Sequence, residues 1–328
     1  MSLLSDVSRP ARRRFEVTPQ LGLFIIVLLL CGLFYWRQPG FLSSFNLFAM
    51  GRSLAIDVVI GFAQMVVLAT GGMNLSVGAI GVCCVMFCGF LMHSLDVPVP
   101  LAFLGALVVG GALGWLNGFT IVRSGVNSFV VTLASANLFS GAMLILSRAV
   151  PINNLPPIVS AIGSYKILGY ASPALFLALA IGVALLVFYR YSVPGKQMLA
   201  AGANARAAEM SGIPVNRAIV WSHILSGVLA GTAGVIAVVR VGAAMPAVGG
   251  EDWLLPSFLG PVLGGTALAG GYISVLGTLL GAMLVTIIRS GLLVLNIGNF
   301  WLQLFLGLFL LAAVLAQRYR GIFRARLR

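Results

Sequence analysis

Charge is what this sequence has least of. Of 328 residues, 20 are Lys or Arg and 7 are Asp or Glu, a charged fraction of 8%, where soluble domains carry about 25%. A water-facing globular core, a disordered chain and a disulfide scaffold are excluded on that ground. Cysteine and histidine are equally sparse. Cys31, Cys83, Cys84 and Cys88 lie in apolar stretches, and His93 and His223 are far apart, so no zinc or redox motif assembles and no metal site is expected. Cys84 and Cys88 read as small apolar packing residues. The only lysines are Lys166 and Lys196, and Gly195-Lys196 runs into Gln197. A phosphate loop would require Gly-Lys-Ser/Thr after a glycine-rich turn, so the chain carries no ATP site of its own and needs no cofactor. Ser222 and Ser226 flank His223 without a nearby carboxylate; no catalytic residues are expected.

What the chain has is apolar length. Hydrophobic residues make up 60%, and a membrane-spanning helix takes roughly 20 residues. The runs are continuous rather than alternating, which excludes an outer-membrane barrel. Breaks at polar residues, Pro and Gly give candidate spans at about 21–36, 47–72, 75–95, 99–121, 127–148, 172–190, 216–240, 253–270, 274–295 and 299–317. The expectation is an all-α polytopic membrane protein of about ten transmembrane helices. The 253–270 span holds Pro256, Pro261 and several glycines, so it is expected to be broken or re-entrant. The run after Arg14 imitates a signal peptide but lacks a small-residue cleavage site, and reads as a retained first helix.

Basic residues set the orientation. With the N-terminus in the cytoplasm, the inner side receives Arg9, Arg12, Arg13 and Arg14; Arg123; Arg190, Lys196, Arg206 and Arg217; and Arg318, Arg320, Arg324, Arg326 and Arg328. The outer loops receive Arg37, Arg148, Lys166 and Arg240, and Arg52 and Arg289 stay within spans. The positive-inside rule therefore puts both termini in the cytoplasm. Residues 1–20 form a basic N-terminus, 21–317 the membrane domain with a cytoplasmic segment at about 191–217, and 318–328 a basic tail. The net charge of +13 is membrane topology, and no nucleic-acid partner is needed to account for it.

Glycines recur every four positions at Gly110, Gly114 and Gly118, at Gly227 and Gly231, at Gly260 and Gly264, and at Gly277 and Gly281. Such faces let helices approach closely in lipid, within a compact bundle or a dimer. Asp57 is the sole carboxylate well inside a span; it keeps an ion-coupled secondary carrier open as an alternative. Arg289 and Arg52 compete as its partner. The adjacent acids Glu251 and Asp252 are expected on the outer face, before the broken span.

The segment 191–217 reads YSVPGKQMLAAGANARAAEMSGIPVNR, with a short helix expected from Ala205 to Met210. By its chemistry it is either a grip for a soluble motor or a surface linker. The run GANARAAEMSGI (202–213) resembles the coupling segment of ATP-binding-cassette importer permeases of the ribose, xylose and arabinose type, Gly-x-Asn-x-x-Ala-Ala-x-x-Ser-Gly-Ile. Gly202, Asn204, Ala207, Ala208, Ser211, Gly212 and Ile213 match it. Three further segments are similar to the family's motifs: TGGMNLSVG (70–78), NSFVVTLAS (127–135) and the stretch 262–281. Asn74 stands where the family usually has Asp, Ala134 and Ser135 replace Gly-Thr, and Ile273 replaces a Gly.

The resemblance implies a permease, homodimeric or paired with a sister permease, in the bacterial inner membrane. A cytoplasmic ATPase would bind ATP and dock on the 202–213 segment, Glu209 included, and a periplasmic solute-binding protein would deliver the substrate, with Glu251 and Asp252 helping to seat it. A sugar is the expected cargo, and a branched-chain amino acid the nearest alternative. Sugar hydroxyls are satisfied by uncharged amides and hydroxyls without the cost of burying a charge, which makes Gln64, Asn74, Ser76, Asn117, Thr132 and Asn137 candidates for the substrate path.

Overall fold

The computed structural model describes residues 19–297 and 301–312, together with Leu315. The basic ends that set the expected orientation lie outside the described residues, as does the end of the last candidate span. Among the described residues thirteen α-helices follow in order: α1 Pro19–Arg37, α2 Ser44–Leu68, α3 Val77–Ser94, α4 Val99–Ser124, α5 Ser128–Ser147, α6 Pro157–Ser164, α7 Pro173–Tyr191, α8 Val193–Ala203, α9 Ala205–Met210, α10 Val215–Val241, α11 Leu254–Leu263, α12 Val275–Val294 and α13 Trp301–Ala312. Eight of them, α1 to α5, α7, α10 and α12, are long and apolar enough to cross a membrane. The chain is an all-α, multi-pass membrane protein.

Eight of the expected spans fall on these full-length helices, and the 253–270 span is broken, as its prolines and glycines imply. The 253–270 stretch forms only the ten-residue α11, with Pro261 inside it; at 1.5 Å per residue this covers about 15 Å, half a hydrocarbon core. The remainder is a non-helical turn through Gly264, Gly265, Gly270 and Gly271. α13 is likewise shorter than a full crossing among the described residues.

α2 is the centre of the bundle. Its span is 83% buried, against 11% for α1 and α5, and it packs on α7, α10, α11 and α12. From Ala55 to Leu68 every residue is buried, as expected of a helix that is apolar on nearly every face, and its two polar side chains, Asp57 and Gln64, are buried with it. The glycine faces expected from the sequence meet inside this one chain. Gly110 and Gly227 oppose each other with only backbone between them, Gly114 lies on His223 and Gly118 on Val220, so α4 and α10 cross with their backbones in contact. Gly260 faces Gly281, and Gly264 faces Gly277, across α11 and α12. Cys84 fills the space beside Gly110 and Gly231, with Sγ 3.3 Å from where a Cβ at either would stand.

A second apolar cluster joins α1, α12 and α13 through Leu23, Val27, Phe34, Ile288 and Leu302. The loop after α10 turns back into the bundle. Ala244 pairs with Ile152 and packs on Gly89, near the end of α3. Gly250 then reaches Gly78, and Trp253 reaches Gly81, about 12 Å further along α3 by its rise per residue. Glu251 and Asp252 are exposed within this returning turn.

Candidate functional site

The 202–213 segment is built by helix capping. Asn204 adopts an extended backbone and its side chain accepts from Ala207 N at 3.0 Å, starting α9. The helix ends in a Schellman motif: Gly212 N donates to Glu209 O (2.9 Å), and Ile213 N to Ala208 O (3.0 Å). Gly212 has φ +78, a left-handed conformation for which glycine carries no steric cost. Ser211 Oγ donates to Ala207 O at 2.9 Å. Ala208 is turned inward and buried, whereas Ala207, Glu209 and Met210 are outward. A cleft of about 380 Å³ lies beside the helix, lined among others by Glu209, Gly212, Asn216 and Arg217.

Five of the six substrate-path candidates come together in one buried network on the turn between α2 and α3. Asn74 is its hub. Its Oδ1 accepts from Ser76 N (3.0 Å) and Ser76 Oγ (2.7 Å), and its Nδ2 donates to Ser226 Oγ (2.9 Å). Asn117 Nδ2 donates to Ser76 Oγ at 2.7 Å. Gln64, with its amide turned to suit both partners, donates to Asn74 O (2.8 Å) and accepts from Asn74 N (3.3 Å). Thr132 Oγ1 accepts from Leu75 N (3.1 Å) and donates to Ser128 O (2.7 Å). All five are fully or almost fully buried. Residues 69–76 leave the helical path inside an apolar bundle, and this network supplies the hydrogen bonds that helix would otherwise give. Asn137 stands apart: it is exposed on α5, with Nδ2 donating to Leu133 O at 3.1 Å. Five residues on from Thr132, it points about 140° away around the helix.

Sequence reading missed Ser226 and Ser222 as members of this region. Ser222 Oγ lies 3.4 Å from Thr70 Oγ1 and donates to Ile219 O at 2.7 Å. Small hydroxyls in an apolar helix were the available signal. His223 Nδ1 also meets Ile219 O, at 3.0 Å. Among the described residues no group of three His, Cys, Asp or Glu could hold a metal ion.

Asp57 is buried and receives Thr286 Oγ1 at 2.9 Å and Arg289 Nη1 at 3.3 Å. Arg52 turns elsewhere. Its Nη1 donates to Gly163 O (3.1 Å) and Arg240 O (3.3 Å), the carbonyls closing α6 and α10, and its guanidinium lies 5.0 Å from the Phe48 ring centre. A cation at two helix C-termini is electrostatically favoured.

A polytopic helical bundle interrupted by a half-crossing element is an architecture that membrane transporters use. Residues 45–314 match the family of branched-chain amino acid transport system permease components, and the chain belongs to that family. It is 35% identical over 309 residues to the ribose import permease protein RbsC of Bacillus subtilis (strain 168), covering 93% of this chain and 94% of that one. It is 31% identical over 320 residues to the L-arabinose ABC transporter permease protein AraH of Azospirillum brasilense, covering 95% and 92%. Over 302 residues it is 30% identical to the D-allose transport system permease protein AlsC of Escherichia coli (strain K12), covering 90% and 91%. No solved structure matches the chain.

Proposed function

We infer that the chain is the membrane-spanning permease subunit of an ATP-binding-cassette importer for a sugar, without catalytic activity or cofactor of its own. The observation that carries this reading is full-length similarity to relatives named for ribose, arabinose and allose transport. A separate cytoplasmic ATPase binds ATP and docks on Gly202, Asn204, Ala207, Ala208, Glu209, Ser211, Gly212 and Ile213. A periplasmic solute-binding protein delivers the sugar at the opposite face; Glu251 and Asp252, carried back into the bundle beside Gly78, are set apart from that face. The subunit works as a dimer, with a second copy or a sister permease, in the bacterial inner membrane. Cytoplasmic placement of both termini follows from the basic residues, and among the ten expected spans the one holding α11 is the broken one.

The sugar path runs where uncharged donors and acceptors can replace water. Gln64, Asn74, Ser76, Asn117 and Thr132 form the wall behind it, and Asn137 presents its amide to it; the exposure of Asn137 on an apolar helix supports this division. The test is reconstitution in liposomes with the ATPase and binding protein of the same system, measuring ATP-dependent uptake of labelled ribose, arabinose, allose and leucine. Sugar uptake that needs all three components is expected. Uptake of leucine alone, or ion-driven uptake by the permease without the ATPase, would overturn the assignment.

A further inference from the structure

Behind the docking segment three stretches of chain meet backbone to backbone. Gly202, in the last turn of α8, rests on the carbonyl of Ala69, and a Cβ there would also stand 2.6 Å from Gly271 N. Gly271 N itself donates to Ala69 O at 3.1 Å, so Gly202 lies directly over the hydrogen bond that ties the end of α2 to the turn before α12. A Cβ on Gly270 would stand 2.6 Å from Gly71 N and 2.9 Å from Gly202 O, and one on Gly271 would stand 2.7 Å from the Ala203 Cα. Gly71, Gly270 and Gly271 all have left-handed backbones, with φ of +78, +89 and +80. The four glycines come from three separate motifs of the sequence, and together they leave no room for a side chain at the junction.

The chain changes backbone conformation on either side of this segment: Ser192 breaks α7 from α8 with an extended backbone, and Gly212 to Pro214 separate α9 from α10. The glycine junction, in contrast, has no rotamers that could absorb a displacement, and close-packed contacts shift as a unit rather than deform. It opens onto the 69–76 turn, whose amides are held by side chains: Met73 N by Ser128 Oγ (3.0 Å), Leu75 N by Thr132 Oγ1 and Ser76 N by Asn74 Oδ1.

We propose that this glycine junction is the route by which movement of the α9 segment reaches the membrane interior, with Gly202, Gly270 and Gly271 as positioning residues that move the 69–76 turn and its Asn74 network. The inference rests on the reading that an ATPase docks on α9, and it adds where the resulting motion enters the bundle.

The test is hydrogen exchange on the complete importer, with and without ATP and vanadate. In the wild type, nucleotide trapping is expected to change exchange in 205–213 and in 70–77 together. Gly270→Ala, whose Cβ would stand 2.6 Å from Gly71 N, is expected to keep the response in 205–213 and ATP hydrolysis, to lose the response in 70–77, and to lose sugar uptake. Gly32→Ala, at a position with nothing within 4 Å of an added Cβ, serves as the control that keeps both responses. A wild-type complex in which 205–213 responds and 70–77 does not overturns the route, as does a Gly270→Ala complex that still passes the response on. No response in 205–213 would instead overturn the docking reading. The wild-type comparison decides the matter even if the variant does not assemble.

Discussion

Arg289 reaches Asp57 across α12 and α2, with Nη1 3.3 Å from Oδ2, although Arg52 stands only five residues from Asp57 on its own helix. The nearer arginine is engaged by the carbonyls of Gly163 and Arg240, so proximity in sequence does not select the partner. Thr286 supplies the second hydrogen bond to the carboxylate.

This arrangement predicts that Asp57→Asn and Arg289→Leu each lower the thermal stability of the detergent-purified protein. Removing one partner of a fully buried pair costs about 3–5 kcal/mol, and the partial exposure of Arg289 brings the expectation to about 1–3 kcal/mol. The exchanged double variant, Asp57→Arg with Arg289→Asp, should recover part of the loss. A double variant no better than the worse single one would show that the pair is not coupled.

At the end of α9, backbone conformation rather than space makes Gly212 special. Nothing lies within 4 Å of an added Cβ, yet φ is +78. Gly212→Val is therefore expected to disturb the end of α9 by roughly 1–2 kcal/mol, and Gly212→Asn less, because asparagine tolerates this conformation. Asn204→Ala removes the opposite cap at about 1 kcal/mol. Co-purification of the ATPase should rank wild type, then Asn, then Val at position 212. Equal binding by all three would contradict the capped-helix account.

The Asn74 network predicts an order among substitutions. Asn74→Leu leaves Ser76 N and Ser226 Oγ without their partner, and Ser76 Oγ with only the bond from Asn117, at about 1–3 kcal/mol for each buried group stranded. Asn74→Asp keeps the two acceptor bonds from Ser76, and Ser226 can turn its hydroxyl to donate. Stability and uptake are expected to fall further for Leu than for Asp. The reverse order would mean that buried charge, rather than unmet hydrogen bonding, controls this turn.

The glycine crossing of α4 and α10 gives a packing test. Gly227→Val would drive a side chain into the Gly110 backbone and is expected to cost at least about 1–3 kcal/mol, the range for overpacking. Gly141→Ala, on a helix face with open space, should be neutral or gain up to about 1 kcal/mol from helix propensity. Melting curves of the two purified variants distinguish a packed crossing from a merely glycine-rich one.

The sequence by itself determined the class of the protein and much of its punctuation. So little charge and so much apolar length admit only a helical membrane protein, since in lipid each spanning backbone must satisfy its own hydrogen bonds. Prolines and glycines announced that 253–270 would not be one straight crossing, and the Asn204 and Gly212 caps marked α9. These signals are local, acting within a few residues. Which glycine meets which, and which polar side chains share a partner, are contacts between segments distant in sequence, and only the tertiary structure decided them. Thr132 and Asn137 looked equivalent as polar residues in one apolar run; the packing of α5 buries one face, so Thr132 joins the Asn74 turn and Asn137 is left outside. Gly71, Gly202, Gly270 and Gly271 are separated by up to two hundred residues and become one junction because the ends of α2 and α8 and the turn before α12 arrive at the same point with no side chain to hold them apart.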